Sequence, residues 1–542
     1  MGCIFVVGLG AVLRTSMGVS LYSALIGGLK QVASRITLDY VSLVLIAIAT
    51  FLRTSKTKGS FLAVALAFSV GTAGSSLTNR WPLTFPVLAS VALQALCFLP
   101  PFQADFPKRI LDYLASLCLL VSLSLCILFP ATEIPGPTGK HNVGMVDFFL
   151  PVNLAAAYTG ENATCADTAD GFVSARLLYP TSEKPEQVPY LKPNIALQYL
   201  KMTMKFASPP PLDDWSWLIH NWQLAYFAAK PFAEPISVDG GLPLIVYSHG
   251  LGGHSMVYMY QNLMLASHGN VVLQINHSDG SAALVERKDG SLLSFDFSTQ
   301  ALFADGKATE EYVFRRREQA DHRVVEMLAS VLALQNLNNK DIEDLKGVSF
   351  VNKLKSTDVT VMGHSFGGTT ALAAAFRRPE LVTSMIGHEP VADWLPDDAR
   401  RALFPVDVME DCPIKYDGGT GGLAADVKPT AGTIKDFDVL FLLSRHWFES
   451  EQIMGRGNII HWMYTNGKMC RDCTAEFALI RDSAHNEFSD SCMMTPVWLA
   501  RALNVTGKRN PQQTAEEISK RTLGFLDTIR LQKSEAVTVA AT

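Results

Sequence analysis

Gly363-His364-Ser365-Phe366-Gly367 sets one serine between two glycines, with the β-type run Asp358–Met362 before it and the small-residue run Gly368–Phe376 after it. Strand, sharp turn and helix in that order expose a serine hydroxyl, and the glycines leave room where side chains would clash. The chemistry that suits such a serine is nucleophilic acyl transfer. It requires a base, an acid to orient the base, and N–H donors for the oxyanion. Tyr247-Ser-His-Gly-Leu-Gly-Gly253 closes an upstream apolar run and can offer backbone N–H groups. Ser483-Ala-His-Asn-Glu-Phe-Ser-Asp490, near the C-terminus, supplies His485 as the base. Serine first and histidine last leaves the acid to be found between them.

The elements that must hold these residues alternate. Short apolar strands are expected at Gly171–Pro180, Leu242–Tyr247, Asn270–Asn276, Val359–Met362, Ser384–Gly387, Phe437–Leu443 and Phe477–Arg481. Helices are expected at Met256–Ser267, Glu310–Leu337 and Thr514–Leu531. This alternation predicts a mostly parallel sheet with helices on both faces. No internal repeat is present.

The front of the chain differs. Of 542 residues, 48% are hydrophobic and 18% charged, and net charge is −5; no long basic run points to nucleic acid. The apolar excess gathers in Leu38–Leu52, Phe61–Leu77, Leu83–Phe102 and Ile110–Phe129, and these four runs predict a transmembrane helical bundle. Gly2–Leu29, with Arg14 inside it, is a fifth span, a signal-like segment or an interfacial helix. Arg53, Lys56 and Lys58, then Lys108 and Arg109, put two basic loops in the cytoplasm and the large domain in the lumen or outside, although Lys30 and Arg35 argue the other way. Sequons at Asn162 and Asn504 agree with that side; a third, Asn276-His-Ser, follows a buried strand and is expected to stay unmodified. The expected organisation is a membrane region over 1–130, a linker over 131–141, a catalytic domain over 142–533 and a flexible tail over 534–542. Cys470-Arg-Asp-Cys473 lacks a second ligand pair, which favours a disulfide or plain thiols over zinc. Trp215, Trp217 and Trp222 in Pro209–Phe227 suit either a water–lipid boundary or ordinary packing in a core or lid helix.

From about Val143 onward the chain resembles the plasma-type platelet-activating-factor acetylhydrolases, which are α/β-hydrolases. The resemblance rests on Tyr247-Ser-His-Gly-Leu-Gly-Gly-His-Ser-Met-Val-Tyr258, Leu265-Ala-Ser-His-Gly-Asn-Val-Val272, Asn276-His-Ser-Asp-Gly-Ser-Ala282, Arg316–Arg323, Gly363–Thr370 and His485-Asn-Glu-Phe-Ser-Asp490. The N-terminal bundle lies outside it. The resemblance implies Ser365 as nucleophile, His485 as base, and the backbone N–H groups of Leu251 and Phe366 as the oxyanion hole. The acid departs from the family pattern. Glu389 stands directly after the strand Ser384–Gly387 and its His388, and Asp393 precedes Trp394; Glu389 is favoured for its place at the strand end, with Asp393 the alternative. The implied activity is sn-2 ester hydrolysis on platelet-activating factor or on phospholipids with short or oxidised chains, with no cofactor and no metal. Membrane lipid and phospholipid are the implied partners. A general carboxylesterase or lipase, or a non-catalytic receptor or scaffold, are the rival readings.

Overall fold

A computed structural model describes residues 132–159, 171–207, 216–304, 307–403, 437–445, 447 and 473–541, with a few isolated positions between 110 and 121. Apart from those few positions the expected spans lie outside the described residues, as do Asn162, Cys165, Cys412 and Cys470. Among the described residues no helix is long and apolar enough to cross a membrane. The chain divides into two compact units. One comprises Met1–Glu133, Pro189–Pro193 and Asp214–Ala225; the other, Ile134–Val188, Asn194–Asp213 and Tyr226–Thr542, holds every candidate site residue.

The larger unit is built on a sheet of ten strands: β1 (Asn142–Val152), β2 (Gly171–Thr181), β3 (Glu186–Pro189), β4 (Tyr226–Pro231), β5 (Leu242–Ser248), β6 (Val271–Asn276), β7 (Leu354–His364), β8 (Ser384–His388), β9 (Asp438–Ser444) and β10 (Ala475–Ile480). Their order is β10-β9-β8-β7-β5-β6-β2-β1-β4-β3. From β10 to β6 every pairing is parallel, while β2 runs antiparallel to both β6 and β1. The expected parallel sheet is therefore one half of a mixed sheet. β6 (VVLQIN) is buried at every position. Successive side chains of a strand point to opposite faces, so both faces are covered there, and that is why these strands read as unbroken apolar runs.

Three helices matter to the site. α1 (Met259–Ser267) follows a 3₁₀ turn at Ser255–Tyr258. α2 (Glu310–Asn336) starts where the Thr309 hydroxyl accepts from Tyr312 N at 3.1 Å, and Glu310 and Glu311 lie in its first turn, where the helix dipole favours negative charge. α3 (Phe366–Arg377) leaves the serine turn. Parallel registers align the strand ends: Gly363 of β7 pairs with Ser248 and Gly387, and His388 with Leu442. The loops after β5, β7, β8 and β9 thus open at one edge of the sheet, where the order turns outward from β5 to either side.

Two readings change, and a third is narrowed to one of its alternatives. Residues 134–141, expected as linker, are strapped to the domain. Ile134 is fully buried and its N–H donates to Tyr226 O at 2.9 Å, while Gly139 N donates to Ser267 Oγ and His141 N to Ser267 O, both at 3.1 Å. Proline and glycine there fix an irregular path rather than a free one. The final helix, Pro511–Ala541, runs through the segment expected to fray. In the tryptophan-rich segment, Ser216–Leu224 is a 3₁₀ helix with Trp222 buried, and Phe227 is a core residue of β4. Asn276 is buried, accepts from Ser255 N at 2.8 Å and donates toward Ser174 Oγ at 3.4 Å, so its sequon is closed in the folded chain; Asn504 is exposed. Cys473 is disulfide-bonded, and its partner lies outside the described residues.

Ile134→Ala tests the strap. Removal of a fully buried isoleucine costs about 2–5 kcal/mol, and denaturant unfolding of the domain should show it. A loss under about 1 kcal/mol would return this stretch to a linker.

Candidate active site

Ser365 stands between β7 and α3 with φ 56° and ψ −120°. A serine in that region is strained by the order of 1–3 kcal/mol and persists only where its surroundings over-determine it. They do so through main chain. Ser365 N donates to His388 O at 2.7 Å and Thr369 N to Ser365 O at 3.1 Å. A Cβ on Gly363 would meet Gly367 C and O at 2.3 Å, and one on Gly367 would meet Ser248 O at 2.1 Å. Neither position admits any side chain, because what it would strike is backbone. The turn is thereby pressed against the loop after β5.

His485 begins a short 3₁₀ turn after β10. Its Nδ1 is hydrogen-bonded to Glu389 Oε2. The other carboxylate oxygen of Glu389, Oε1, accepts the Ser444 N–H at the end of β9, and Glu389 N donates to Leu442 O at 3.0 Å. Glu389 is fully buried and, like Ser365, has a positive φ, 51°. The ring of His364, the residue before the serine, lies 4.5 Å from that of His485, and the indole of Trp447 stacks on His485 at 3.9 Å and 11°. Asp393 is placed differently. It sits in the next turn, Ala392–Trp394, whose peptide carbonyl accepts from Arg317 Nε at 3.0 Å, and Trp394 packs edge-on to Phe366. Of the two carboxylates, the hydrogen bond to His485 Nδ1 is made by Glu389.

The loop after β5 is held from three directions. Gly250 N donates to the Tyr258 hydroxyl at 3.0 Å, Gly252 N to Ser281 O at 2.8 Å and Gly253 N to Gly250 O at 3.0 Å; among the described hydrogen bonds none uses the N–H of Leu251. Phe366 is the first residue of α3, where a backbone N–H has no acceptor within the helix. Arg323 reaches both sides. Its Nη2 donates to His249 O at 2.6 Å, and its guanidinium lies 4.3 Å from the Phe366 ring centre. Burial lowers the Arg323 guanidinium to about 10 against the opposing pull of Asp279 and Glu326, so it stays charged at neutral pH.

Beneath the loop lies a second chain of serine, histidine and carboxylate. Ser248 Oγ is 2.8 Å from His277 Nε2, and His277 Nδ1 is 2.7 Å from Glu326 Oε2. Glu326 Oε1 also accepts from Ser278 Oγ at 2.5 Å. Burial would raise the Glu326 carboxyl, but hydrogen bonds from His277 and His322 outweigh it and hold it far below the usual carboxylate range. Burial and the neighbouring Arg323 lower His277, so the link is a neutral imidazole N–H donating to a carboxylate. His277 N in turn donates to His249 Nε2 at 3.2 Å. Burial keeps His364 neutral as well, and the neighbouring His485 and His388 rings push it the same way. Its Nδ1 lies 3.0 Å from the Tyr258 hydroxyl, which has already accepted Gly250 N and so donates to it. His364, Glu389 and His485 bring ligand-type atoms within 4.8 Å of one another. Glu389 and His485 are already joined to each other, which suits a proton relay better than a cation.

Residues 126–386 match the family model described as platelet-activating factor acetylhydrolase, isoform II. These matches support that family for the domain. The platelet-activating factor acetylhydrolase of Canis lupus familiaris is 28% identical over 254 residues, 45% of this chain and 52% of its own length; that of Cavia porcellus is 24% identical over 413 residues, 73% and 78%. The chain thus spans about half the length of the Canis relative. A ferulic acid esterase from Streptomyces cinnamoneus aligns at 15% identity with TM-score 0.46, covering 74% of this chain and 93% of its own. The family match includes Ser365 and ends before Glu389 and His485. Those two residues therefore rest on the geometry and on the histidine motif. Trp447, Ser444, Arg323 and the His277–Glu326 link carry no spacing pattern that sequence reading could have used, though His277 and Arg323 fall inside the motif blocks.

Glu326→Gln should separate wild type and variant by pH. The folded carboxyl is depressed, so its stabilisation is full above the unfolded value of about 4.3 and is lost as pH falls toward the folded value. Chemical denaturation should show the wild-type advantage at pH 7 shrinking below about pH 4. An advantage independent of pH would refute the charged state.

Proposed function

We propose that this protein is a serine ester hydrolase acting on phospholipids, with Ser365 the nucleophile, His485 the base, Glu389 the acid, and Leu251 and Phe366 the oxyanion donors. The observation that carries the reading is the His485–Glu389 hydrogen bond, with the His485 ring 4.5 Å from that of His364, the residue before a serine held at positive φ. Ser365 Oγ attacks the ester carbonyl carbon as His485 Nε2 takes the hydroxyl proton. Glu389 fixes the imidazole with its Nδ1 proton inward and stabilises the imidazolium that forms. The carbonyl oxygen, now negative, accepts from the N–H groups of Leu251 and Phe366; one such donor is typically worth about 3 kcal/mol of barrier. Collapse breaks the ester C–O bond, and the proton on His485 passes to the departing alkoxide. Water, deprotonated by the same histidine, then frees the acyl group and restores Ser365.

The substrate class follows from the family. Platelet-activating factor and phospholipids with short or oxidised sn-2 chains are the proposed substrates. The four apolar runs before residue 130 support a multi-pass anchor with the catalytic domain in the lumen or outside the cell, a site suited to a substrate that lives in lipid.

Ser365→Ala should abolish ester hydrolysis and fluorophosphonate labelling while expression stays normal; full labelling would remove the assignment. Glu389→Gln should lower kcat by about 10⁴ and Asp393→Asn should leave most activity, and the reverse order would make Asp393 the acid. A panel of sn-2 chain lengths should favour acetyl and short or oxidised acyl groups; equal rates on simple carboxylic esters would favour a general carboxylesterase. For topology, Asn162 and Asn504 should carry glycans in a eukaryotic host. A C-terminus cut by protease on the cytosolic side of sealed vesicles would overturn that orientation.

A further inference from the structure

The end of β9 does more than complete the sheet. Leu442 O accepts the backbone N–H of Glu389, and Ser444 N donates to the Glu389 carboxylate. The Ser444 hydroxyl then accepts Trp447 N at 3.0 Å, turning the chain so that the indole lies flat on His485, with centroids 3.9 Å apart and planes 11° from parallel. Trp447 is buried. Leu442 and Ser444 therefore grip the acid, and Trp447, held by Ser444, covers a face of the base.

We propose that Trp447 is a positioning residue for His485, fixing the plane of the imidazole between Ser365 and Glu389 and favouring the imidazolium that forms during acyl transfer. The proposal rests on the triad reading above. A hydrogen bond to Glu389 through Nδ1 alone leaves the ring free to rotate about that bond and swing Nε2 out of line. A flat aromatic surface against one face removes that freedom. The same surface presents the negative face of its π-system to the ring that becomes cationic as the serine loses its proton, so the contact strengthens along the reaction coordinate rather than in the resting state. Its loss should fall on kcat rather than on substrate binding.

The test uses the full-length chain in membranes or detergent micelles, a short-chain phospholipid ester and a fluorophosphonate probe. Trp447→Leu, which keeps apolar bulk and removes the flat ring, should lower kcat and the labelling rate by about tenfold to a hundredfold, the scale of a misplaced reacting group, with KM changed less than about twofold and the melting temperature close to wild type. Trp447→Phe, which restores an aromatic face, should recover most of the rate. Equal rates for Leu and Phe variants, or a loss confined to KM, would overturn the positioning role while labelling of wild type leaves the hydrolase reading standing. Persistent labelling of Ser365→Ala would instead remove that reading and this proposal with it. If the Leu variant has no melting transition, Trp447→Met takes its place with the same expected split.

Discussion

Contact between bare main chain is the constraint on which the rest of the site depends. At Gly363 and Gly367 the serine turn meets itself and the loop after β5 with no space for one carbon atom. Ser365 is forced to positive φ by that contact, and the loop that carries Leu251 is held at the same distance by it. Ser365 and the loop that carries Leu251 are thus placed by the same contact. Neither can be adjusted without the other. The parallel registers of β5, β7, β8 and β9 then bring Glu389 and Ser444 to the same edge.

Around this contact the domain buries charge, which is costly unless each group is matched. Arg323 lies between Asp279 and Glu326; its Nε is 3.8 Å from Asp279 Oδ2. Arg176 makes a two-pronged contact with Asp147 at 2.8 and 2.9 Å, tying β2 to β1. These charges sit on α2 and on neighbouring strands, and they fix the position of a helix against a sheet that apolar packing alone would hold with less specificity. Arg323 also ties α2 to the loop after β5 through His249 O at 2.6 Å.

The parts of the molecule with a period were legible in the sequence. β5, β6, β7, β8 and β9 are apolar runs bounded by glycine, asparagine or serine, and each lies within a few residues of its expected place. α2 announced itself by helical spacing. β1 was harder, because Asn142-Val-Gly-Met-Val-Asp-Phe-Phe-Leu-Pro-Val152 carries a glycine, an aspartate and a proline that read as breaks. The aspartate is neutralised by Arg176 of β2, a partner no local window contains. The strap at Ile134–His141 looked like a linker for the same reason: its Pro-Gly-Pro composition is set by an irregular path, and burial of that path is decided by Tyr226 and Ser267, far along the chain. In the site, Ser365 and His485 lie in local motifs. Glu389 could be narrowed to one of two carboxylates, but choosing between them depends on where β10 delivers His485. Trp447 was invisible, since its partner is set by strand order and not by spacing.

The hidden Ser248–His277–Glu326 chain makes both hydrogen bonds of a serine–histidine–carboxylate set, while at the proposed site the described bond is the one between His485 and Glu389. A template that scores only three side chains and two hydrogen bonds would return the hidden chain. An incoming electrophile cannot reach it. Ser248 and His277 are wholly shielded, and the Ser248 carbonyl lies close against Gly367. What makes the hidden set an inert copy is therefore its lack of access. The inert copy still has work: it keeps the floor of the neighbouring loop polar, satisfied and stiff.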